Sequence, residues 1–272
     1  MRDVGDDSPA KPSQTALRVA ALRRSFARVP HTSGDPSAED RLVAAILRDA
    51  APPGPASPAS PASPASPASE YAIRFRAYLE RRTRFFDAFT VDAIAGGIEQ
   101  IVIVAAGYDG RAMRYATPGV SFYEIDHPDT QQHKRQLLHD LSLSASRIEF
   151  VAVDLVSGSA ADALAATSHS RARSSAFLVE GLAVYIPADD LSRLFVGLRH
   201  TAAAGSRLAV SFPGRSNADV GRAALAMHVA SLGEPMRAEI GGAEFREVLA
   251  ESGWRSEDPE GAAPNLIAAV AA

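Results

Sequence analysis

Short apolar runs that alternate with helical stretches constrain the fold of this chain more than any other feature. Five runs are predicted to be strands: Gln100–Ala106, Val120–Asp126, Ile148–Asp154, Ala176–Glu180 and Arg207–Phe212. Three helices are predicted between them: Pro128–Leu141, Ser159–Thr167 and Ala188–Ala203. Strands that alternate with helices are typical of a parallel, doubly wound α/β sheet. The sequence therefore predicts a Rossmann-like α/β fold.

Helical patterns also flank this alternating core. The flanking helices are predicted at Ser13–Val29, Ser37–Ala50, Glu70–Gly97, Asn217–Leu232 and Ala243–Ser252. Ser13 or Thr15 is suited to cap the first of them, and Ser37 with Asp40 resembles a capping box at the start of the second. The chain ends in "NLIAAVAA", an apolar stretch that predicts a last strand.

A proline at every third position marks the stretch from residue 52 to residue 69, "PPGPASPASPASPASPAS". Such a segment cannot form a helix or a central strand, and it offers little apolar surface to bury. We therefore predict a disordered, solvated linker over 52–69. It divides the chain into an N-terminal helical cover (1–51) and an α/β domain (70–272) in which residues 213–242 form a helical lid.

Composition narrows the function classes. The chain has 272 residues, of which 46% are hydrophobic, so it can bury a sizeable core. Its net charge of −4, from 28 basic and 32 acidic residues, lacks the basic bias of a nucleic-acid-binding protein. The absence of cysteine excludes disulfides, cysteine-ligated zinc and thiol catalysis. A polar N-terminus and the lack of a long apolar run predict a cytoplasmic protein without membrane contact.

The predicted strands end in residues that packing does not explain. The first run stops at Ala105, Ala106 and Gly107, which remove side chains at the point where ligands bind in open α/β sheets. The second, third and fourth runs end in acids. An acid about 19 residues beyond the glycine suits the hydroxyls of a ribose, and both Glu124 and Asp126 fall near that spacing.

Two ligand classes fit this crevice, a dinucleotide and S-adenosylmethionine. A dinucleotide needs a glycine-rich turn that leads its pyrophosphate to a helix N-terminus, and "AAGYDG" lacks the complete G-x-G-x-x-G pattern. Acidic side chains repel a pyrophosphate but suit a sulfonium cation and its amino group. The pattern therefore favours S-adenosylmethionine as the cofactor.

Five stretches taken together resemble the leucine carboxyl methyltransferase family, and in particular its bacterial branch of S-adenosylmethionine-dependent O-methyltransferases. They are "YLERRTRFFDAFT", "GIEQIVIVAAGYDGRAMRY", "FYEIDHPDTQQHKRQLL", "VAVDL" and "FLVEGLAVYIP". The resemblance covers roughly residues 72–212, in order and with sensible spacing. It implies a class I methyltransferase sheet.

The resemblance also implies which residues bind the cofactor. Arg82 matches the arginine that holds the carboxylate of S-adenosylmethionine. Gly107 and Ala105 match the glycine turn beneath its methionine portion, and Asp126 matches the acid that binds the ribose. The family usually has glycine where this chain has Ala105, and we expect the extra methyl group to narrow the pocket.

The remaining implied site residues follow the third and fourth strands. Asp154 and Leu155 match the pair beside the adenine. Glu180 matches the acid near the amino group of the cofactor, and Tyr185 matches a residue that lines the acceptor side. The resemblance thus makes Tyr185 the candidate catalytic residue.

Structural roles are open for several of these residues. Arg82 could be a surface charge, Asp154 could cap the following helix, and Glu180 could pair with a basic neighbour. Tyr185 could be a core residue whose hydroxyl is merely satisfied. His127 beside the predicted ribose acid suits a solvated helix cap better than a catalytic base.

The sequence thus predicts an S-adenosylmethionine-dependent O-methyltransferase that methylates a carboxylate of a small molecule or modified peptide, in natural-product biosynthesis by family analogy. A carboxylate acceptor is favoured because it is ionised near neutrality and needs no general base. The alternatives are a hydroxyl O-methyltransferase, an NAD(P)-dependent oxidoreductase and a non-catalytic binding protein. No metal ligand set is evident, and the sequence does not indicate an oligomeric state.

Overall fold

The computed structural model describes residues 13–49, 67–212, 240–257 and 265–272, and these residues build one mixed sheet of seven strands. Its strands are β1 (Gln100–Val104), β2 (Ser121–Asp126), β3 (Ile148–Ala152), β4 (Ser175–Val179), β5 (Arg207–Ser211), β6 (Trp254–Ser256) and β7 (Leu266–Ala271). The order across the sheet is β3-β2-β1-β4-β5-β7-β6. The first five strands pair in parallel, and β7 pairs antiparallel with both β5 and β6. This arrangement confirms the predicted doubly wound, Rossmann-like α/β fold.

Helices cover both faces of the sheet. They are α1 (Gln14–Arg23), α2 (Pro36–Asp49), α3 (Pro67–Ala95), α4 (Arg111–Arg114), α5 (Pro128–Asp140), α6 (Ala160–Ala165), α7 (Ala188–Thr201) and α8 (Gly242–Glu251). One face packs against α6, α7 and α8. The other face packs against α3 and α4, with α1, α2 and α5 beyond.

Strand boundaries differ from the predictions mainly at the carboxyl ends. The strand β1 ends at Val104 because Ala105 adopts a left-handed backbone conformation, with φ of 54°, that breaks the ladder. The predicted ends at Asp154 and Glu180 also lie beyond their strands, in the connections that follow. Sequence periodicity did not reveal α4 or β6, since four and three residues are too short to show a period.

Two helix starts also differ. The capping box expected at Ser37 and Asp40 is wrong, because the carboxylate of Asp35 accepts the N–H groups of Ser37 and Ala38 at 2.9 and 3.2 Å, which places Pro36 at the first helical position. Similarly, α3 begins at Pro67 rather than Glu70, so the last three positions of the predicted linker are helical. Ser13 caps α1 as expected.

Several predictions lie on residues outside those that the structure describes. They include most of the linker (52–66), the predicted helix Asn217–Leu232 and most of the predicted lid. The division into a cover, a linker and an α/β domain stays a prediction. Among the described helices, none is both long and apolar enough to cross a membrane.

Candidate functional site

The carboxyl ends of four neighbouring strands bring most of the predicted site residues into one row. Val104 of β1 pairs with Ile125 of β2 and with Val179 of β4. The next residue of each strand path is therefore level with the others: Ala105, Asp126 and Glu180. Asp154 follows β3 on the far side of β2. The sheet order thus places the turn after β1 between the two acids.

The turn after β1 is bound directly to the end of β2. The N–H of Ala106 donates to the carbonyl of Ile125 at 3.0 Å, and the N–H of Gly107 donates to Asp126 Oδ2 at 2.5 Å. Gly107 has φ of 50°, and a Cβ atom at this position would lie 3.0 Å from the Cβ of Ala16 in α1. Glycine therefore serves both the turn and the close approach of the N-terminal helix.

Asp126, which the spacing predicts to bind a ribose, is the last residue of β2. Its second oxygen accepts the N–H of His127 at 2.7 Å. Burial raises the pKa of Asp126, although the two backbone hydrogen bonds act in the opposite direction. Since an ionised carboxylate has about four acceptor positions, these two bonds leave capacity for ligand hydroxyl groups.

Glu124, the other acid near the predicted spacing, has a different environment. Its side chain lies in the interior, 1% exposed as a residue, and Oε2 accepts a bond from Lys134 Nζ at 2.6 Å. Burial raises the pKa of Glu124 to about 7, against the opposing effect of Lys134. The structure therefore places Asp126 rather than Glu124 at the open end of β2.

Glu180 and Arg82 contact each other, as neighbours in one ionic cluster. Oε1 of Glu180 accepts from Arg82 Nε at 2.9 Å and lies 2.7 Å from an Arg23 nitrogen, and Oε2 lies 2.7 Å from Arg111. Burial alone would raise the pKa of Glu180, but Arg23, Arg111 and Arg82 together outweigh it and hold the pKa well below its usual range. The alternative in which Arg82 is a surface charge is therefore wrong, because Arg82 is buried. The alternative in which Glu180 pairs with basic neighbours is confirmed.

The cluster extends through the N-terminal cover. Arg111 contacts Asp87 at 2.9 Å and Asp109 at 2.5 Å. Arg28 contacts both Asp87 and Glu39 at 2.6 Å. In the described part of the chain the cluster contains five arginines and four acids: Arg23, Arg28, Arg82, Arg111, Arg114, Glu39, Asp87, Asp109 and Glu180. Five positive charges against four negative ones leave one positive charge in excess.

Asp154 and Leu155 lie beyond Asp126, at the end of β3. Asp154 accepts the N–H of Val156 at 2.9 Å and the hydroxyl of Ser157 at 2.8 Å, and these bonds lower its pKa. The alternative in which Asp154 caps the next helix is wrong, because Ser159 caps α6. Leu155 packs at the margin of the apolar core and borders an open cavity of about 260 Å³ between α6 and α7.

Tyr185 lies in the connection between β4 and α7. It is half-buried, and its N–H donates to the carbonyl of Leu182 at 2.9 Å. It follows Glu180 by five residues on the same side of the sheet ends. Its assignment as the catalytic residue stays a prediction.

The residues of the ionic cluster that sequence reasoning missed include Arg23, Asp109 and Arg111. Asp109 and Arg111 stand in "AAGYDGR", directly after the glycine turn, where a short motif of opposite charges was the available signal. Arg23 is distant in sequence from every partner, so no local pattern marks it. Among the described residues, no group of histidines and acids has the arrangement of a metal site.

Comparisons with known proteins give this geometry a context. A profile of the leucine carboxyl methyltransferase family matches residues 16–198. A protein from Mycolicibacterium paratuberculosis, described as an S-adenosyl-L-methionine-dependent methyltransferase, is 36% identical over 263 residues, which cover 89% of this chain and 79% of that protein. A protein of the same description from Mycolicibacterium smegmatis is 35% identical over 200 residues, 72% of this chain but only 65% of the relative.

A solved structure supports the fold independently. The structure described as PigF with SAH superimposes with a TM-score of 0.50 at 16% sequence identity, and the match covers 74% of this chain and 59% of that one. At this level of identity the likeness concerns the fold, which is that of a Rossmann-like methyltransferase.

Proposed function

Because the chain belongs to the leucine carboxyl methyltransferase family, we propose that it transfers the methyl group of S-adenosylmethionine to a carboxylate oxygen of a small molecule or modified peptide. Membership of this family confirms the predicted class of enzyme, an S-adenosylmethionine-dependent methyltransferase. The acceptor, the use of a carboxylate oxygen and a place in natural-product biosynthesis are parts of the proposal.

The observation that carries the proposal is the charge balance of the cluster around Glu180. A buried cluster with one positive charge in excess is suited to a ligand that brings a carboxylate, since an uncompensated buried charge is costly. Arg23 adds to this argument, because its buried Nε atom has no partner among the described residues. Beside these arginines, Glu180 is an acceptor suited to an ammonium group. An amino acid end carries no net charge, and it fits this environment because its carboxylate can accept from the arginines while its ammonium group donates to Glu180.

The other end of the cofactor fits the row of strand ends. Asp126 would bind the ribose hydroxyls with its remaining acceptor capacity, and Asp154 with Leu155 would border the adenine. Gly107 and Ala105 would lie beneath the methionine portion. The residues present therefore fit S-adenosylmethionine, and Arg82 with Arg23 would hold its carboxylate.

The chain's contribution to the reaction is alignment and exclusion of water. When bound, S-adenosylmethionine supplies a methyl group on a positively charged sulfur, which a nucleophilic oxygen can attack in line. An acceptor carboxylate is already ionised at neutral pH, so the protein does not have to remove a proton. Tyr185 would orient the acceptor by its hydroxyl group, and the cover formed by α1 and α2 would limit the access of water.

Calorimetric titration with S-adenosylhomocysteine tests the cofactor site. We expect saturable binding with one equivalent per chain. A titration with NAD⁺ under the same conditions is the control for the oxidoreductase alternative. The absence of binding at millimolar S-adenosylhomocysteine would instead support a non-catalytic scaffold.

The acceptor chemistry requires a separate experiment. The protein is incubated with methyl-labelled S-adenosylmethionine and a panel of small carboxylic acids and phenols. A methyl ester releases labelled methanol in mild alkali, whereas a methyl ether does not. With S-adenosylmethionine at saturation, the rate for a carboxylate acceptor should be flat from about pH 6 to 8, since free carboxyl groups have a pKa of about 4. An alkali-stable product would refute carboxyl methylation and leave the cofactor assignment intact.

A further inference from the structure

Two polar side chains of α5 point into the interior, on a helix face that would ordinarily be apolar. Gln131 and Lys134 are one helical turn apart, and both are buried. Gln131 Nε2 donates to the carbonyl of Glu124 at 3.0 Å. Lys134, only 1% exposed, donates to Glu124 Oε2 at 2.6 Å and to the carbonyl of Asp109 at 2.7 Å. One ammonium group thus links α5, β2 and the turn after β1.

The turn residue that Lys134 contacts is restrained on several sides. The N–H of Asp109 donates to the carbonyl of Ala106 at 2.8 Å, and its carboxylate accepts the N–H of Arg111 at 2.8 Å. Its Oδ2 atom contacts the guanidinium group of Arg111 at 2.5 Å. Lys134 donates from α5 to the backbone of this turn, and the hydroxyl of Tyr108 in the same turn lies 2.5 Å from His133 Nδ1 of α5. Lys134 is therefore one of the groups that tie the turn to α5.

The buried pair of Lys134 and Glu124 is expected to contribute little to the stability of the fold. An ion pair taken out of water is often no better than an apolar pair of the same size. In addition, Oε1 of Glu124 is buried without a hydrogen-bond partner among the described residues. Burial of this pair, with one oxygen unpartnered, is costly. Because the pair contacts the turn after β1, we consider a role in positioning that turn.

We propose that Lys134 is a positioning residue, whose ammonium group holds the turn of residues 105–110 in the conformation that binds S-adenosylmethionine. The inference rests on the proposed function. Lys134 does not touch the proposed cofactor position; it acts through the carbonyl of Asp109, and Glu124 holds its charge in place. The consequence is that cofactor affinity and fold stability should respond differently to its removal.

Replacement of Lys134 by methionine separates these two properties. The variant keeps the length of the side chain but loses the ammonium group. Lys134 opposes the burial that raises the pKa of Glu124, so this pKa should rise further once Lys134 is gone, and a protonated Glu124 leaves no charge of this pair buried. We expect S-adenosylhomocysteine to bind at least about tenfold more weakly at pH 8, equivalent to ~1.4 kcal/mol, with an unchanged or higher thermal midpoint.

Two further variants provide rescue and control. Lys134→Arg keeps a positive donor, and we expect its affinity to return to within about threefold of the wild type. Arg135→Met removes a neighbouring positive charge that lies exposed on α5, and we expect no change in affinity. Equal losses of affinity and thermal stability in both Lys134 variants would indicate a structural role and overturn the proposal.

The pH dependence of binding gives an independent readout. Glu124 is faced by Lys134 from α5, by Asp109 from the turn and by Asp126 from its own strand. Protonation of Glu124 below about pH 7 removes the charge that holds Lys134, so wild-type affinity should fall from pH 8 to pH 6. The Glu124→Gln variant lacks this titration, although Asp126 is still present in it. The affinity of this variant for S-adenosylhomocysteine should therefore vary less than that of the wild type over the same pH range.

The outcomes distinguish this inference from the proposed function. A wild-type chain that fails to bind S-adenosylhomocysteine contradicts the proposed function. A wild-type chain that binds, with a folded Lys134→Met variant within threefold, contradicts only the role of Lys134. If Lys134→Met does not fold, Glu124→Gln decides: wild-type affinity together with a wild-type pH profile would overturn the proposal.

Discussion

The two faces of the sheet solve the problem of burial in different ways. On β2, Tyr123 and Ile125 point to the face covered by α6, α7 and α8, where the core is apolar. Phe122 and Glu124 point to the opposite face, where charged groups lie among the apolar ones. The most deeply buried charges of the described residues, including Arg111 and Asp87, belong to this second face. We refer to these as the apolar face and the charged face.

The difference lies in how specific each contact must be. On the apolar face, burial is favourable in proportion to area and does not depend on direction. On the charged face, every group needs a partner at hydrogen-bond distance, or its burial is costly. Arg23 and Glu180 are 157 positions apart in the sequence and 2.7 Å apart in the fold. The charged face therefore depends on the N-terminal helices, while the apolar face does not.

Loss of Arg111 should break the charged face most severely. Arg111→Met leaves Asp87, Asp109 and Glu180 short of a buried counter-charge. We expect the free energy of unfolding to fall by about 3–5 kcal/mol, the usual cost of removing one partner of a buried ion pair. Urea unfolding at pH 7 measures the loss. Arg193→Met is the matched control, since its side chain is 73% exposed and its ion-pair partner among the described residues is Asp190; its effect should stay below about 1 kcal/mol.

The same variant has a signature at acid pH. Although burial alone would raise them, the pKa values of Asp87, Asp109 and Glu180 are lowered by their arginine partners. Carboxylates with a lowered pKa in the folded state stabilise the protein above about pH 4, and this contribution is lost as the pH falls further. Wild-type stability should decrease steeply below pH 4. A decrease of equal steepness in Arg111→Met would contradict this account of the cluster.

On the apolar face, a cavity should reduce stability without affecting the cofactor. Leu198 in α7 is fully buried in that core. We expect Leu198→Ala to lose about 3 kcal/mol of unfolding free energy, within the range for buried leucine. The affinity for S-adenosylhomocysteine should remain within threefold. A parallel loss of affinity would show that the two faces are coupled.

Asp126→Ala tests the opposite case, a loss of cofactor affinity in a variant that remains folded. A carboxylate that binds two ribose hydroxyls contributes charge-assisted hydrogen bonds of roughly 1.5–3 kcal/mol each. We expect affinity for S-adenosylhomocysteine to fall by at least about thirtyfold, or ~2 kcal/mol. Calorimetry gives the affinity, and circular dichroism establishes that the variant is folded. A folded variant within threefold of the wild type would remove Asp126 from the site.

The smallest effect is expected at Ala105, where the charged face borders the sheet ends. An alanine with φ of 54° is strained by roughly 1–2 kcal/mol relative to ordinary backbone. Replacement by glycine relieves this strain, but part of the gain in stability is lost because glycine gives the unfolded chain more conformational freedom. Ala105→Gly should therefore stabilise the fold by about 0.5–1 kcal/mol in urea unfolding. Ala106→Gly, at a position without positive φ, should destabilise it instead. A destabilised Ala105→Gly would contradict the inferred strain.

The sequence was sufficient for the parts of the site that rest on local order. Gly107 follows the first predicted strand and Asp126, 19 residues later, ends the second, and parallel pairing places such ends side by side. Spacing alone could not distinguish Glu124 from Asp126, because the two residues are two positions apart and point to the same face of the strand. The structure distinguishes them by their partners: Lys134 for Glu124, and two backbone N–H groups for Asp126.

By itself, the sequence determined the doubly wound sheet and the order of its first five strands along the chain, and it predicted the carboxyl ends as the place of the candidate site. These features depend on periodicity and on residues close in sequence. Only the tertiary structure decided that β7 runs antiparallel between β5 and β6, and that Arg23 from α1 reaches Glu180. The physical reason is that a buried charge requires a partner in space, and no local pattern encodes which distant residue supplies it.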